Sequence, residues 1–209
     1  MKLLRALKLI AGTVFAICLL AMASSAPAGA ARLGDIPIME EIAAGLRTIA
    51  AMDPDEKIRN PDTMAKEFLS PAFWFWTSLD EDFEKSKQFI KFYRMNAYYT
   101  QNAITKHIDG ILEAGARDNI AQVVIIGAGL DSRAYRFADR MPGVRFFEVD
   151  LPAAVNRKRE LVQIALGRLP QTVAYAPVDF RKEVLGAALK RAGYDPRAKT
   201  LFICEMVTR

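Results

Sequence analysis

The stretch Val123–Asp150 constrains the fold more than any other part of the chain. Four apolar residues, Val123-Val124-Ile125-Ile126, break abruptly into Gly127-Ala128-Gly129. A helix-compatible segment follows, and a second apolar run from Val144 to Val149 ends on Asp150. Strand, glycine turn, helix, strand and acid, in that order, open a nucleotide-binding α/β sheet. The alternation then continues. Strands are expected at Gln122–Ile126, Val144–Val149, Thr172–Val178 and Thr200–Cys204, and helices at about Ser132–Arg140, Ala153–Leu166 and Lys182–Ala192. Short apolar strands separated by helices of this length build βαβ units and a parallel sheet. The fold class expected for residues 121–209 is therefore α/β, a Rossmann-like parallel sheet.

Residues 32–120 read as a helical segment preceding that sheet. Glu40 to Met52 places Ile42, Leu46 and Ile49 on one helical face, and Asp53-Pro54-Asp55 stops the helix. Asn60-Pro61-Asp62 forms a second turn, with Asp62 or Thr63 as cap of a short helix through Leu69. A longer helical pattern runs from Lys85 to Glu113, with a break expected near Tyr98-Tyr99. Pro71–Trp76 is the densest aromatic cluster; it suits core packing between helices and sheet, one wall of a substrate pocket, or a membrane interface. His107 is the only histidine and has no Cys or His partner at ligand spacing, so it reads as structural and no metal site is expected.

The net charge of +5 gives no argument for nucleic acid, because Lys2, Arg5 and Lys8 account for three of those charges and leave +2 on the rest. Those bases precede a charge-free run from Leu9 to Ala31 that ends in Ala28-Gly29-Ala30. Basic residues, an apolar core and small residues make a secretory signal over 1–31. The apolar core is shorter than the roughly 20 residues of a spanning helix, so cleavage near Ala30 and export are expected. Membrane association would arise only through an uncleaved signal. A start at Met39 or Met52 would instead leave a cytoplasmic protein. Ile17 before Cys18 is too bulky for a lipoprotein signal, and Cys204 alone then remains, which precludes an internal disulfide.

In such a sheet, ligands bind beyond the carboxyl ends of the strands. Those ends carry Gly127 and Gly129, then Asp150, then Asp179 and Phe180, then Glu205. Glycines let a backbone approach a ligand closely. Asp150 lies at the distance from Gly127 expected of an acid that accepts from ribose hydroxyls, and Phe180 could stack on a purine. Each strand-end acid could equally cap the next helix, as Asp150 before Leu151-Pro152 would. The turn itself selects the nucleotide. A dinucleotide site wants a third glycine where this chain has Ser132, and Asp131 beside it opposes a pyrophosphate. S-adenosylmethionine has ribose and adenine, no phosphate, and a cationic sulfonium, so it suits the acid-rich crevice better than NAD. An NAD-dependent oxidoreductase is the weaker reading.

The segments GAGLDSRAYR (127–136), FEVDLP (147–152), VDFR (178–181) and CEMVT (204–208) resemble, in order, the motifs of class I S-adenosylmethionine-dependent methyltransferases related to leucine carboxyl methyltransferases. Many bacterial members of that family are classed as O-methyltransferases. The stretch Leu46 to Leu69, with Arg47, Pro61-Asp62 and Lys66–Leu69, resembles the family's helical N-terminal portion. The resemblance implies that Gly127 and Gly129 approach the methionine part of S-adenosyl-L-methionine and that Asp150 holds the ribose. It further implies adenine contacts from Asp179 and Phe180, and places Glu205 near the amino-acid end. Methylation of a small carboxylate or hydroxyl compound follows, with proximity as the main catalytic device; no catalytic residue is singled out.

Two departures stand against the family pattern. Ile104 occupies the position of an arginine that pairs with the cofactor carboxylate; Arg94 is a candidate substitute. The sequence also reaches Arg209 after the fourth of the seven strands of that fold, which leads to the expectation of a truncated chain and, as an alternative function, a non-catalytic remnant. The DNA downstream of codon 209 distinguishes the two.

Overall fold

The computed structural model describes residues 38–78 and 83–205, so the signal expected over 1–31 lies outside the described residues, as do Met206–Thr208. Four parallel strands, β1 (Gln122–Ile126), β2 (Arg145–Asp150), β3 (Val173–Pro177) and β4 (Thr200–Cys204), pair in the order β3-β2-β1-β4. β1 therefore has a sequence-distant neighbour on one side, with Ile126 opposite Cys204, and β2 on the other, with Ile126 opposite Val149. That is the switch point at which an open α/β sheet forms its crevice.

Alternation along the strands feeds two cores. Val123, Ile125, Phe146, Val173 and Ile203 pack on one face with Phe68, Leu112 and Val162. Val124, Phe147, Val149, Ala176 and Val178 pack on the other with Ala188 and Leu189. Each of the valine, leucine, isoleucine and phenylalanine side chains among them contributes about 1.5–3 kcal/mol by leaving water. A one-residue slip would exchange the two sets, which fixes the register.

The helices are α1 (Ile38–Ala50), α2 (Pro71–Ser78), α3 (Phe83–Arg117), the single turn α4 (Arg133–Arg136), α5 (Pro152–Leu166) and α6 (Leu185–Arg191), with a 3-10 turn at Ala65–Phe68. Asp62 opens the 3-10 turn by accepting from the amides of Met64 and Ala65 at 3.2 and 2.9 Å. Pro152 starts α5, and Gly167 ends it in the left-handed region at φ 69°. No helix among the described residues is long and apolar enough to cross a membrane.

Four expectations need correction. The helix expected over Ser132–Arg140 is one turn, because Ala138 and Arg140 bond at i−3, to Tyr135 and Phe137, and only Met141 returns to an i−4 bond, to Phe137. The helix expected from Lys182 begins at Leu185, because the Asp179 carbonyl accepts from the amides of Lys182 and Glu183 and closes a turn first. α3 runs unbroken through Tyr98-Tyr99; Tyr98 is buried, and its hydroxyl donates to Asp53 Oδ2 at 2.8 Å. On α1 the buried face is not Ile42–Leu46–Ile49: Ile42 is 38% exposed, whereas Glu41, Ala44 and Arg47 are buried beside Ile49. Buried partners for the two charged groups decide this orientation.

Candidate functional site

β1 ends in a turn whose two glycines both have positive φ, 65° at Gly127 and 35° at Gly129. A side chain is strained in either place. The Gly127 amide donates to the Val149 carbonyl at 2.8 Å, so the turn starts as an extension of the sheet. The Gly129 amide donates to Asp150 Oδ2 at 2.8 Å, and the Leu151 amide donates to Asp150 Oδ1 at 2.7 Å. Asp150 thus holds the residue that precedes α5 and braces the glycine turn together; it does not cap the helix, whose N-cap is Leu151.

A cleft of about 240 Å³ opens there, between residues 127–131 of the turn, Asp150 and Glu205 at the strand ends, and Met39, Glu40, Ala43 and Arg47 of α1. Four of the six residues singled out by sequence, Gly127, Gly129, Asp150 and Glu205, share its walls. Asp179 and Phe180 stand at the end of β3 and are not among its walls. Asp179 accepts from the Arg181 guanidinium at 2.9 and 2.8 Å, which holds its carboxyl down to about 2. Phe180 is 52% exposed.

Beneath the turn lies a buried ammonium. Lys158 of α5 donates to the carbonyls of Gly129 and Asp131 at 2.8 and 2.6 Å and pairs with Glu148 Oε1 at 3.3 Å. Its charge also lies over the rings of Phe68 and Tyr135, at 5.1 and 5.5 Å. Glu148 accepts from the Tyr135 hydroxyl at 2.7 Å. Burial pushes the Glu148 carboxyl above its ordinary value, and Lys158 opposes that shift. Burial, then the Glu148 charge, pushes the Tyr135 phenol far upward, so it remains a donor.

Arginines bind the helical segment to the turn. Arg133 donates to Asp109 at 2.9 Å, Asp131 at 2.6 Å and Glu205 at 2.9 Å. Arg136 shares Asp109 at 2.8 Å and reaches Asp62 at 3.4 Å. Arg47 in turn donates to Asp62 at 2.8 Å and to the Leu130 carbonyl at 2.8 Å. Burial disfavours ionisation of Asp131, but Arg133 and then Arg47 outweigh it and hold the carboxyl below its ordinary value. Arg133 itself remains charged, its three carboxylates overriding the burial.

The cleft is therefore acidic. Glu40, Asp131, Asp150 and Glu205 line it against one base, Arg47, whose guanidinium is already engaged. Burial, and next the Asp150 charge, push Glu40 up to about 7. Such a cleft suits a ligand with hydroxyl donors and positive charge, and a phosphate would meet carboxylates.

Sequence reasoning left Glu40, Asp109, Arg133 and Lys158 out of the site. The two arginines that follow Asp131 within Asp131–Arg136 were the available signal for Arg133; nothing in the sequence marks Lys158. Ile104 is half-buried on α3, and Glu205 takes hydrogen bonds from Gln101 at 3.1 Å and from Arg133. Arg94 falls on α3 where no side chain is described. His107 is exposed. In the aromatic segment, Phe73 packs against the first core and Trp74 is 52% exposed; the side chains of Phe75 and Trp76 lie outside the described residues.

Comparison with known proteins points in one direction. The family model described as leucine carboxyl methyltransferase matches residues 41–209. A relative from Mycobacteroides abscessus, named "Putative S-adenosyl-L-methionine-dependent methyltransferase", is 35% identical over 127 residues, 61% of this chain and 37% of the relative. A protein of the same description from Frankia alni is 38% identical over 103 residues, 48% of this chain and 35% of its own. One from Mycobacterium sp. strain KMS is 31% identical over 168 residues, 78% of this chain and 54% of its own. The chain thus spans about a third to half the length of these curated relatives.

Proposed function

Because the chain belongs to the leucine carboxyl methyltransferase family, we propose that its acidic cleft binds S-adenosyl-L-methionine and serves methyl transfer to an oxygen of a small carboxylate or hydroxyl compound. The observation that carries the reading is the Gly129 amide held on Asp150 Oδ2 at 2.8 Å, which fixes a carboxylate beside an open glycine turn. The residues present fit the ligand. Gly127 and Gly129 present backbone to its methionine part, Asp150 accepts from its ribose, and Glu205 faces its ammonium end. The adenine is assigned to Asp179 and Phe180, which stand at the end of β3 outside the cleft walls. The bound ligand supplies an electrophilic methyl on a sulfonium. The chain's own contribution is alignment and exclusion of water, since a carboxylate acceptor is already nucleophilic. The relatives' names support the cofactor, and the carboxyl methyltransferase description supports oxygen as the acceptor atom.

Isothermal titration of the 209-residue chain with S-adenosylhomocysteine is expected to show saturable one-to-one binding. No heat from protein that is folded by circular dichroism would sink the reading.

Export is proposed alongside, from the basic, apolar and small-residue order over 1–31. Mass spectrometry of protein from its native host is then expected to find Ala31 as the first residue. A chain that retains Lys2–Lys8 counts against export.

A further inference from the structure

Two carboxyl groups converge on one glycine from different elements. Asp150, ending β2, accepts the Gly129 amide at 2.8 Å. Glu40, from α1, stands against the Cα of the same residue: a Cβ built on Gly129 would lie 2.8 Å from Glu40 Cδ and 3.0 Å from Oε2. Glycine is required here to admit Glu40 as well as for its φ of 35°. Both acids line the same cleft.

We propose that Glu40 is the second acid of the ribose subsite: Asp150 accepts from the two ribose hydroxyls and protonated Glu40 donates to a ribose oxygen. The proposal rests on the S-adenosylmethionine reading of the cleft. A vicinal diol has two donors and free lone pairs; one carboxylate satisfies the donors, and a protonated acid satisfies an oxygen. Two ionised carboxyls at one half-buried glycine repel, which favours a proton on one of them.

The surroundings assign that proton to Glu40. Burial first, then the Asp150 charge, and Glu41 of the same helix together raise it to about 7 against the opposing charges of Lys158 and Arg157 of α5. The opposition is limited because both cations already face carboxyl groups, Lys158 that of Glu148 at 3.3 Å and Arg157 that of Glu41 at 3.6 Å. Arg47, the base of the cleft, is bound to Asp62 and the Leu130 carbonyl, and Glu205 to Gln101 and Arg133. The pair also selects against a ribose phosphorylated on this diol, because the phosphate would face two acids.

The test measures affinity between pH 6 and 8.5 for 5′-methylthioadenosine, which carries the ribose and adenine without a group that titrates in that range, with S-adenosylhomocysteine in parallel. Wild-type affinity for 5′-methylthioadenosine is expected to fall about tenfold per pH unit above 7, as the donor proton is lost. Glu40→Gln keeps a donor and is expected to bind within about threefold of wild type at pH 6, with no pH slope. Glu40→Ala is expected to bind about tenfold more weakly at pH 6. A flat wild-type profile, or the same slope in Glu40→Gln, overturns the role of Glu40 while the cofactor reading stands. Binding of neither ligand by folded protein overturns both.

Discussion

Replacement of Arg133 by methionine is expected to destabilise the fold by about 3–5 kcal/mol, the cost of leaving buried carboxylates without their counter-charge. Its side chain is 4% exposed and joins Asp109 of α3, Asp131 of the glycine turn and Glu205 beyond β4. Among the described residues no other side chain reaches all three. Arg133→Lys restores only part of the loss, since an ammonium cannot present a planar fork to three acceptors. Urea denaturation measures both variants; a change below about 1 kcal/mol for methionine would show that the network carries no net stability. The pH dependence follows from Asp131. Its carboxyl is held below the ordinary value, so the stabilisation is present above that value and lost as pH falls through the depressed one. The gap between wild type and Arg133→Met therefore narrows on acidification below about pH 4.

The second large effect is on binding. Asp150→Ala is expected to weaken S-adenosylhomocysteine binding about 100-fold, because two hydroxyls lose a charged acceptor worth about 1.5–3 kcal/mol each, offset in part by water. Asp150→Asn keeps one acceptor and is expected to lose about tenfold. The alanine variant also frees the amides of Gly129 and Leu151, so a stability loss of about 1 kcal/mol accompanies it. Isothermal titration with thermal melts separates the two effects. A loss under threefold in affinity would remove Asp150 from the ribose subsite.

The sheet was legible because its signal is redundant. Val123–Ile125 and Phe146–Val149 are buried on both sides, so each belongs to an apolar run bounded by turn residues, and the strand ends follow. The face of α1 was not legible for the converse reason. Hydrophobic periodicity assumes that charge points outward, yet Glu41 and Arg47 point inward to Arg157 and Asp62, and Ile42 is displaced toward solvent. Lys158 failed the same assumption, since long cationic side chains are rarely buried unless paired. Asp179 shows the limit of reading strand ends: the strand end is where expected, but the Arg181 ion pair that engages the acid is a side-chain choice no periodicity encodes. The glycine turn could be read from composition, whereas the acids around it had to be located in three dimensions.

The ammonium of Lys158 under that turn has an entropic consequence. A loop with two glycines would ordinarily sample many backbone states and lose that freedom when a ligand orders it. Here the carbonyls of Gly129 and Asp131 are both fastened to a helix side chain that is 3% exposed, and the Gly129 amide is fastened to Asp150. The loop is pre-organised before any ligand arrives. Most of its ordering is carried by folding, so contact energy at the glycines passes into affinity with little deduction.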